Sequence, residues 1–289
     1  MKFTHKLRDC ERTGLPIRID ADRLRGKTAR MELDDTQRAS REQFARQSRN
    51  YGKSHILADT SDIASALGSL AEGGGRRALD VATGGGHTAV FLAEHGWQVT
   101  ATDLTPEMLE RARELAEARG VALETAMHAA EVFPFSDATF SLVTCRVAAH
   151  HFSDPAAFVG EAARVLVNGG AFLLIDGSVP DGEPEAAEWI HRIEKLRDPS
   201  HGRFLAPEQW RNLCSQAGLT VETCSTTPFL QPDLQWYFET AGTSESNRSA
   251  VLELIQTAPD PARRAFGLAN ENGRITWWWP RLSLLAKKR

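Results

Sequence analysis

Ala78-Leu79-Asp80-Val81-Ala82-Thr83-Gly84-Gly85-Gly86-His87-Thr88-Ala89 is the stretch that decides the fold. Apolar residues interleaved with one carboxylate read as a buried parallel strand. Three glycines follow, and then helical spacing resumes at Ala89, Val90, Leu92 and Ala93. A glycine-rich turn from strand into helix lets a ligand approach bare backbone, and the helix start offers it unpaired N–H groups. Seventeen residues beyond Gly86, a second strand over 97–102 ends at Asp103. A carboxylate there can accept two hydrogen bonds from a ribose diol. The front of the chain therefore reads as a holder for an adenosine-type cofactor.

The loop alone leaves alternatives. Gly84-x-Gly86-x-x-Ala89 also fits the dinucleotide fingerprint of a nicotinamide-dependent oxidoreductase, and a glycine turn can exist without any ligand. Two features favour S-adenosylmethionine. Asp80 sits inside the strand end, where an ammonium group would use it and a pyrophosphate would not. About seventy residues precede the loop, whereas a dinucleotide fingerprint is expected near the chain start.

The rest of the chain supports an α/β reading. Strands are expected near 77–82, 97–102, 121–126, 139–145 and 170–176, with helices near 86–95, 105–119 and 154–167 between them. Alternation of this kind implies a parallel sheet covered on both faces. Asn168-Gly169-Gly170 reads as the stop of the helix before the fifth strand. Helices are also expected from Asp35 to Arg49, over 61–72, 184–197 and 206–217, and across 233–269, with a strand from about Leu219 and a last one over 274–287. Residues 1–36 carry both charge signs and little periodicity, so they are read as an N-terminal extension. The remainder, 37–289, reads as one domain with cap elements at 37–72, 178–205 and 230–270.

Bulk properties exclude several classes. With 42% hydrophobic and 25% charged residues the chain is an ordinary globule. A net charge of −4 gives no footprint for nucleic acid. No apolar run is long enough to span a bilayer, and the start lacks a secretory core, so a cytoplasmic protein is expected. Cysteines 10, 145, 214 and 224 form no C-x-x-C pair and read as reduced thiols. No metal-ligand pattern is read.

Four motifs in order sharpen the picture: Asp80 to Ala89; Thr102-Asp103-Leu104-Thr105-Pro106-Glu107-Met108-Leu109; Ala130-Glu131-Val132-Phe133-Pro134-Phe135; and Cys145-Arg146-Val147-Ala148-Ala149-His150-His151-Phe152. Together they resemble class I S-adenosylmethionine-dependent methyltransferases, and are most similar to the ubiquinone/menaquinone-biosynthesis branch. The resemblance runs from roughly Phe44 to Gly218. It implies a doubly wound, mostly parallel, Rossmann-like sheet of seven strands, closed by an antiparallel last strand. It implies transfer of a methyl group to carbon or oxygen of a small organic acceptor by in-line displacement.

The same resemblance implies site residues. Asp80 would help hold the methionine ammonium. Ala82, Gly84 and Gly86 would line methionine and ribose with backbone. Asp103 would bind the ribose hydroxyls, Leu104 and Met108 would pack beside adenine, and Ala130 and Glu131 belong to the adenine-side motif. Tyr51 lies where the family often has a lid. One departure stands out: the acidic residue usual just before Ala130-Glu131 is Ala129 here, so the adenine amine would turn to Glu131, His128 or water.

His150 and His151 follow the fourth strand, where ligands sit in open α/β sheets, and histidine takes a proton near neutral pH. Either is a candidate base. Arg146 is placed to reach the methionine carboxylate or an anionic acceptor. Arg197, His201 and Arg203 form a candidate clamp for an acidic or phenolic acceptor group. Trp277, Trp278 and Trp279 read as packing in a terminal hairpin. Alternatives to methyl transfer are other chemistry on the same cofactor, or an oxidoreductase. Pairing of two copies is left open.

Overall fold

A computed structural model of the protein describes residues 33–51, 55–272 and 274–289. The expected extension over 1–36 lies almost wholly outside the described residues, as does Cys10. Tyr51 ends a helix, but its side chain also lies outside them.

Seven strands form one sheet: β1 (Arg77–Val81), β2 (Gln98–Asp103), β3 (Glu124–Met127), β4 (Phe140–Arg146), β5 (Leu166–Gly177), β6 (Leu219–Leu230) and β9 (Trp278–Lys288). Two short strands, β7 (Ala269–Glu271) and β8 (Arg274–Thr276), make a separate hairpin. The order across the large sheet is β3-β2-β1-β4-β5-β9-β6. The first five are parallel, and β9 inserts antiparallel between β5 and β6, as expected. The order reverses beside β1, so ligands are expected beyond the carboxyl ends of β1 and β4.

Side-chain alternation explains why both faces are covered. On β5, Phe172 and Leu174 join a core with Phe158 and Trp210, from α6 (Pro155–Val165) and α8 (Pro207–Gln216). Leu173 and Ile175 turn to the other face, against Ile63 of α3 (Ser61–Leu67) and Leu92 of α4 (His87–Glu94). A period of two thus splits one apolar run between two cores. The helix α5 (Pro106–Arg119) packs beside α4, with Pro106 in its first turn.

A third core lies in the cap. It joins α7 (Pro184–Arg197), α9 (Leu234–Ala241), α10 (Glu245–Gln256) and α11 (Asp260–Ala265) around buried Tyr237, Val251 and Phe266. Trp189 stacks on Phe266 at 5.6 Å between ring centroids. The helix α1 (Asp35–Tyr51) ties to this cap through the Gln43 amide, which donates to the Ala241 carbonyl at 2.7 Å.

Several expected boundaries shift. The 61–72 segment splits into α3 and a tight turn over Gly68–Ala71. Asn168-Gly169-Gly170 does not end a helix: α6 stops at Val165, and the three residues bulge inside β5, with Gly169 at φ 76°. The helical run expected to 269 ends at Ala265, because residues 269–276 pair as the small hairpin. The last strand therefore begins at Trp278 rather than 274.

Candidate active site

A cavity opens at the carboxyl edge of the sheet. Its lower wall is Val81, Ala82, Thr83, Gly84 and Gly85 after β1, Asp103 and Leu104 after β2, and Ala130 and Glu131 after β3. The loop after β4 supplies Val147, Ala148, His150 and His151. Phe44 of α1 and Trp236, Trp279 and Arg281 close it from the cap and β9. Two non-glycine residues at its rim adopt left-handed backbone: Ala82 at φ 53° and Val147 at φ 54°. Such strain in a β-branched residue persists only where surrounding structure enforces it, and it concentrates at functional sites.

The glycine loop and Asp103 are one unit. The Gly84 N–H donates to Asp103 Oδ2 at 3.0 Å, and the Thr105 N–H to Asp103 Oδ1 at 2.8 Å. A carboxylate offers about four lone-pair sites, so acceptor capacity remains. Gly84 has φ +54°, and a Cβ there would meet nothing within 4 Å. The loop thus presents bare backbone to open space. These features fit an adenosine-type cofactor. Leu104 and Met108 line the cavity beside them, Met108 almost wholly buried.

Four residues of the expected set stand off the cavity wall: Gly86, Asp80, Arg203 and His201. Gly86 does not line the cavity; a Cβ there would come within 2.7 Å of Ala112 Cα, so its bareness lets α4 and α5 approach. Asp80 lies behind the loop. Its carboxylate accepts the Thr83 and Thr144 hydroxyls, each at 2.7 Å. Arg203 is exposed and outside the cavity wall.

Burial raises both carboxyls to about 6, partly offset for Asp80 by the two threonine hydroxyls and for Asp103 by backbone N–H donors.

The loop after β3 is also tied down. Glu131 accepts from the Gln37 amide at 2.8 Å, and from the Ser153 main chain and hydroxyl at 2.9 Å each, joining α1 to the loop after β4. Ala129 is buried. The His128 ring packs against Phe133 and Phe135, its Nδ1 donates to the Ala129 carbonyl at 2.9 Å, and its buried Nε2 has no partner among the described residues.

The two candidate bases separate clearly. The His150 Nδ1 lies 2.6 Å from Asp176 Oδ1, and the His150 main-chain N–H donates to Asp176 Oδ2 at 2.8 Å. One carboxylate at the end of β5 thus fixes both backbone and ring, leaving Nε2 as the ring nitrogen for a ligand. Burial lowers the His150 pKa, but the Asp176 charge and hydrogen bond outweigh it, so the net shift is upward. His151 sits 4.1 Å away, ring centroid to centroid, with its Nδ1 on the Ser200 carbonyl at 3.1 Å. Burial and then the His150 charge push it down to about 4.

Sequence reasoning missed Asp176. Its signal was the one that found Asp80 and Asp103: a carboxylate closing an apolar strand.

The expected clamp of Arg197, His201 and Arg203 does not assemble as three side chains. Arg197 lines the cavity but pairs with buried Glu194 at 3.2 Å, donates to the Tyr237 carbonyl at 2.9 Å and lies 4.4 Å over the Tyr237 ring. His201 is buried among His150, His191 and Phe204, off the cavity wall. What the segment gives the site is backbone: the Gly202 and Arg203 N–H groups donate to the His150 carbonyl at 2.8 and 3.0 Å. Arg146 binds Asp62 at 3.0 Å and the carbonyls of Leu57 and Asp59, tethering the segment before α3. The tryptophan run divides: Trp277 is packed in the cap core, while Trp279 lines the cavity. Cys145 is a buried free thiol, raised by burial and neighbouring carboxylates.

This fold and this edge cavity define a class I methyltransferase, and residues 79–174 match the methyltransferase domain family. The chain belongs to that family. It is 31% identical over 233 residues to the uncharacterized methyltransferase YcgJ of Bacillus subtilis, spanning 80% of this chain and 91% of that protein. A crystal structure of a methyltransferase from Bacillus halodurans superposes with a TM-score of 0.74 at 33% identity, covering 79% of this chain and 99% of that one. The demethylmenaquinone methyltransferase of Deinococcus radiodurans is 37% identical over 107 residues, 36% of this chain and 44% of its own length. Among the described residues, no helix is long and apolar enough to cross a membrane.

Proposed function

We propose that the protein transfers a methyl group from S-adenosylmethionine to a small acceptor with an ionisable hydroxyl or an acidic C–H, and that His150 is the base. The observation that carries this is the pairing, in one cavity, of the bare loop joined to Asp103 with a histidine held by Asp176. When bound, S-adenosylmethionine supplies an electrophilic methyl on sulfur and leaves as S-adenosylhomocysteine. Asp103 would accept the ribose hydroxyls, and Ala82, Gly84 and Gly85 would meet the cofactor with backbone. Leu104, Met108 and Ala130 would hold its base. Phe44, Trp236 and Trp279 make the acceptor side flat and apolar, which orients an aromatic or enolisable body and excludes water. His150 Nε2 would take the acceptor's proton, with Asp176 stabilising the imidazolium. His151, kept neutral, would serve as a hydrogen-bond acceptor that orients the same molecule.

The test is turnover with small phenols and enolisable carbonyl compounds. One S-adenosylhomocysteine is expected for each methyl gained. His150→Ala should keep S-adenosylhomocysteine binding and slow turnover about 10²- to 10⁴-fold. Product formed without S-adenosylhomocysteine would instead favour other chemistry on the same cofactor.

A further inference from the structure

We propose that Arg281 is the carboxylate-binding residue of this cavity, receiving an acid group carried either by the cofactor's amino-acid end or by the acceptor. This rests on the reading that the cavity holds S-adenosylmethionine and its acceptor.

Two cations share one carboxylate on this wall. One carboxylate oxygen, Asp62 Oδ2, serves two guanidiniums, Arg146 Nε at 3.0 Å and Arg281 Nη1 at 3.3 Å. Arg146 spends its other two nitrogens on the carbonyls of Leu57 and Asp59. Arg281 makes no other hydrogen bond among the described residues. A guanidinium carries five N–H donors, so most of those on Arg281 are unspent. Its Nε and Nη2 are not among the sealed, unpartnered atoms, and the residue lines the cavity. Its side chain as a whole is only 12% exposed.

Neighbouring charges do not cancel this excess. Arg197 has Glu194, and Asp176 is taken by His150. The Asp59 carboxylate is exposed and accepts the Ser61 N–H at 2.9 Å. Arg41 also lines the cavity, but it is exposed on α1 and screened. Burial draws the Arg281 pKa down to about 10 despite Asp62, as an under-compensated buried cation requires.

The strand sets the direction. Arg281 pairs with Gly177 on β5 and Thr227 on β6, two residues after Trp279 and so on the same face, and Trp279 lines the same cavity. Its guanidinium lies 3.4 Å over the Phe229 ring. That ring fixes the plane of the fork, and an oriented fork binds a carboxylate through two parallel bonds.

The experiment is calorimetry on wild type, Arg281→Met and Arg281→Lys with two ligand pairs. The first pair is S-adenosylhomocysteine and its decarboxylated counterpart. The second is benzoate and benzamide, titrated with and without S-adenosylhomocysteine. The Met variant should weaken the acid of at least one pair about ten- to a hundredfold relative to its neutral partner. The Lys variant should lose less. A selective loss in the first pair assigns the cofactor as the source, and in the second pair the acceptor. Thermal melts confirm folded variants, since Asp62 keeps Arg146. Unchanged acid-to-neutral ratios in both pairs, or wild type binding neither acid, overturns the proposal. Wild type that binds benzoate but no S-adenosylhomocysteine overturns the cofactor reading and leaves Arg281 tested by the second pair.

Discussion

Asp103 carries a charge in a place that resists it. Burial holds its carboxyl near 6, well above the usual 3.8. On the proposed function, the ionised form would accept two ribose hydroxyls, so cofactor binding should favour loss of the proton. Affinity for S-adenosylhomocysteine should be level above pH 6 and fall toward tenfold per unit below it. Asp103→Asn should bind weakly at every pH and lose that slope; dependence that remains belongs to Asp80, also near 6. Because both folded values exceed the unfolded ones, the stability these groups contribute is present below pH 4 and lost as pH rises through 6. His150 is raised for a different reason: Asp176 favours its charged form, whereas burial disfavours that of Asp103. Its pKa is raised, so the base form fails as pH drops through a value above 6.5. Asp176→Asn should move the acid limb of the rate profile to lower pH and cut turnover about 10²- to 10⁴-fold. A limb that does not move would place the base elsewhere.

Gly86 shows how an element can hide its own reason. Its φ is +87° and a Cβ would press on Ala112 of α5. Gly86→Ala should destabilise the protein by about 1–3 kcal/mol in urea unfolding, through strain and a forced separation of α4 from α5. An unchanged midpoint would contradict that packing role. The sequence alone demanded bare backbone here, yet ligand approach and helix approach leave the same glycine. Parallel strands and their helices were legible because each apolar run and cap is local. Asn168-Gly169-Gly170 misled because a glycine pair that stops a helix looks the same as one that bulges a strand. The contributions of β9 were opaque: Trp279 and Arg281 reach the site only because a strand from the chain's far end inserts beside β5.

At the scale of the molecule, a sheet with two cores meets a cap with a third, and the cavity lies where they join. Asp103, His150 and His151 line the cavity because strand ends and the loops after them fix their places, whereas Asp80 sits behind the loop. The places of Arg197 and His201 were not legible, because their partners Glu194, Tyr237 and His191 depend on cap packing that no local pattern announces. On the proposed function, this junction binds a sulfonium nucleoside through the glycine loop and Asp103. Calorimetric titration with S-adenosylmethionine and S-adenosylhomocysteine tests it most directly. Binding of one molecule per chain, abolished by Asp103→Ala in a variant that still melts cooperatively, is the predicted result. No heat from either compound with the intact protein, or undiminished binding by the Asp103→Ala variant, would contradict the account.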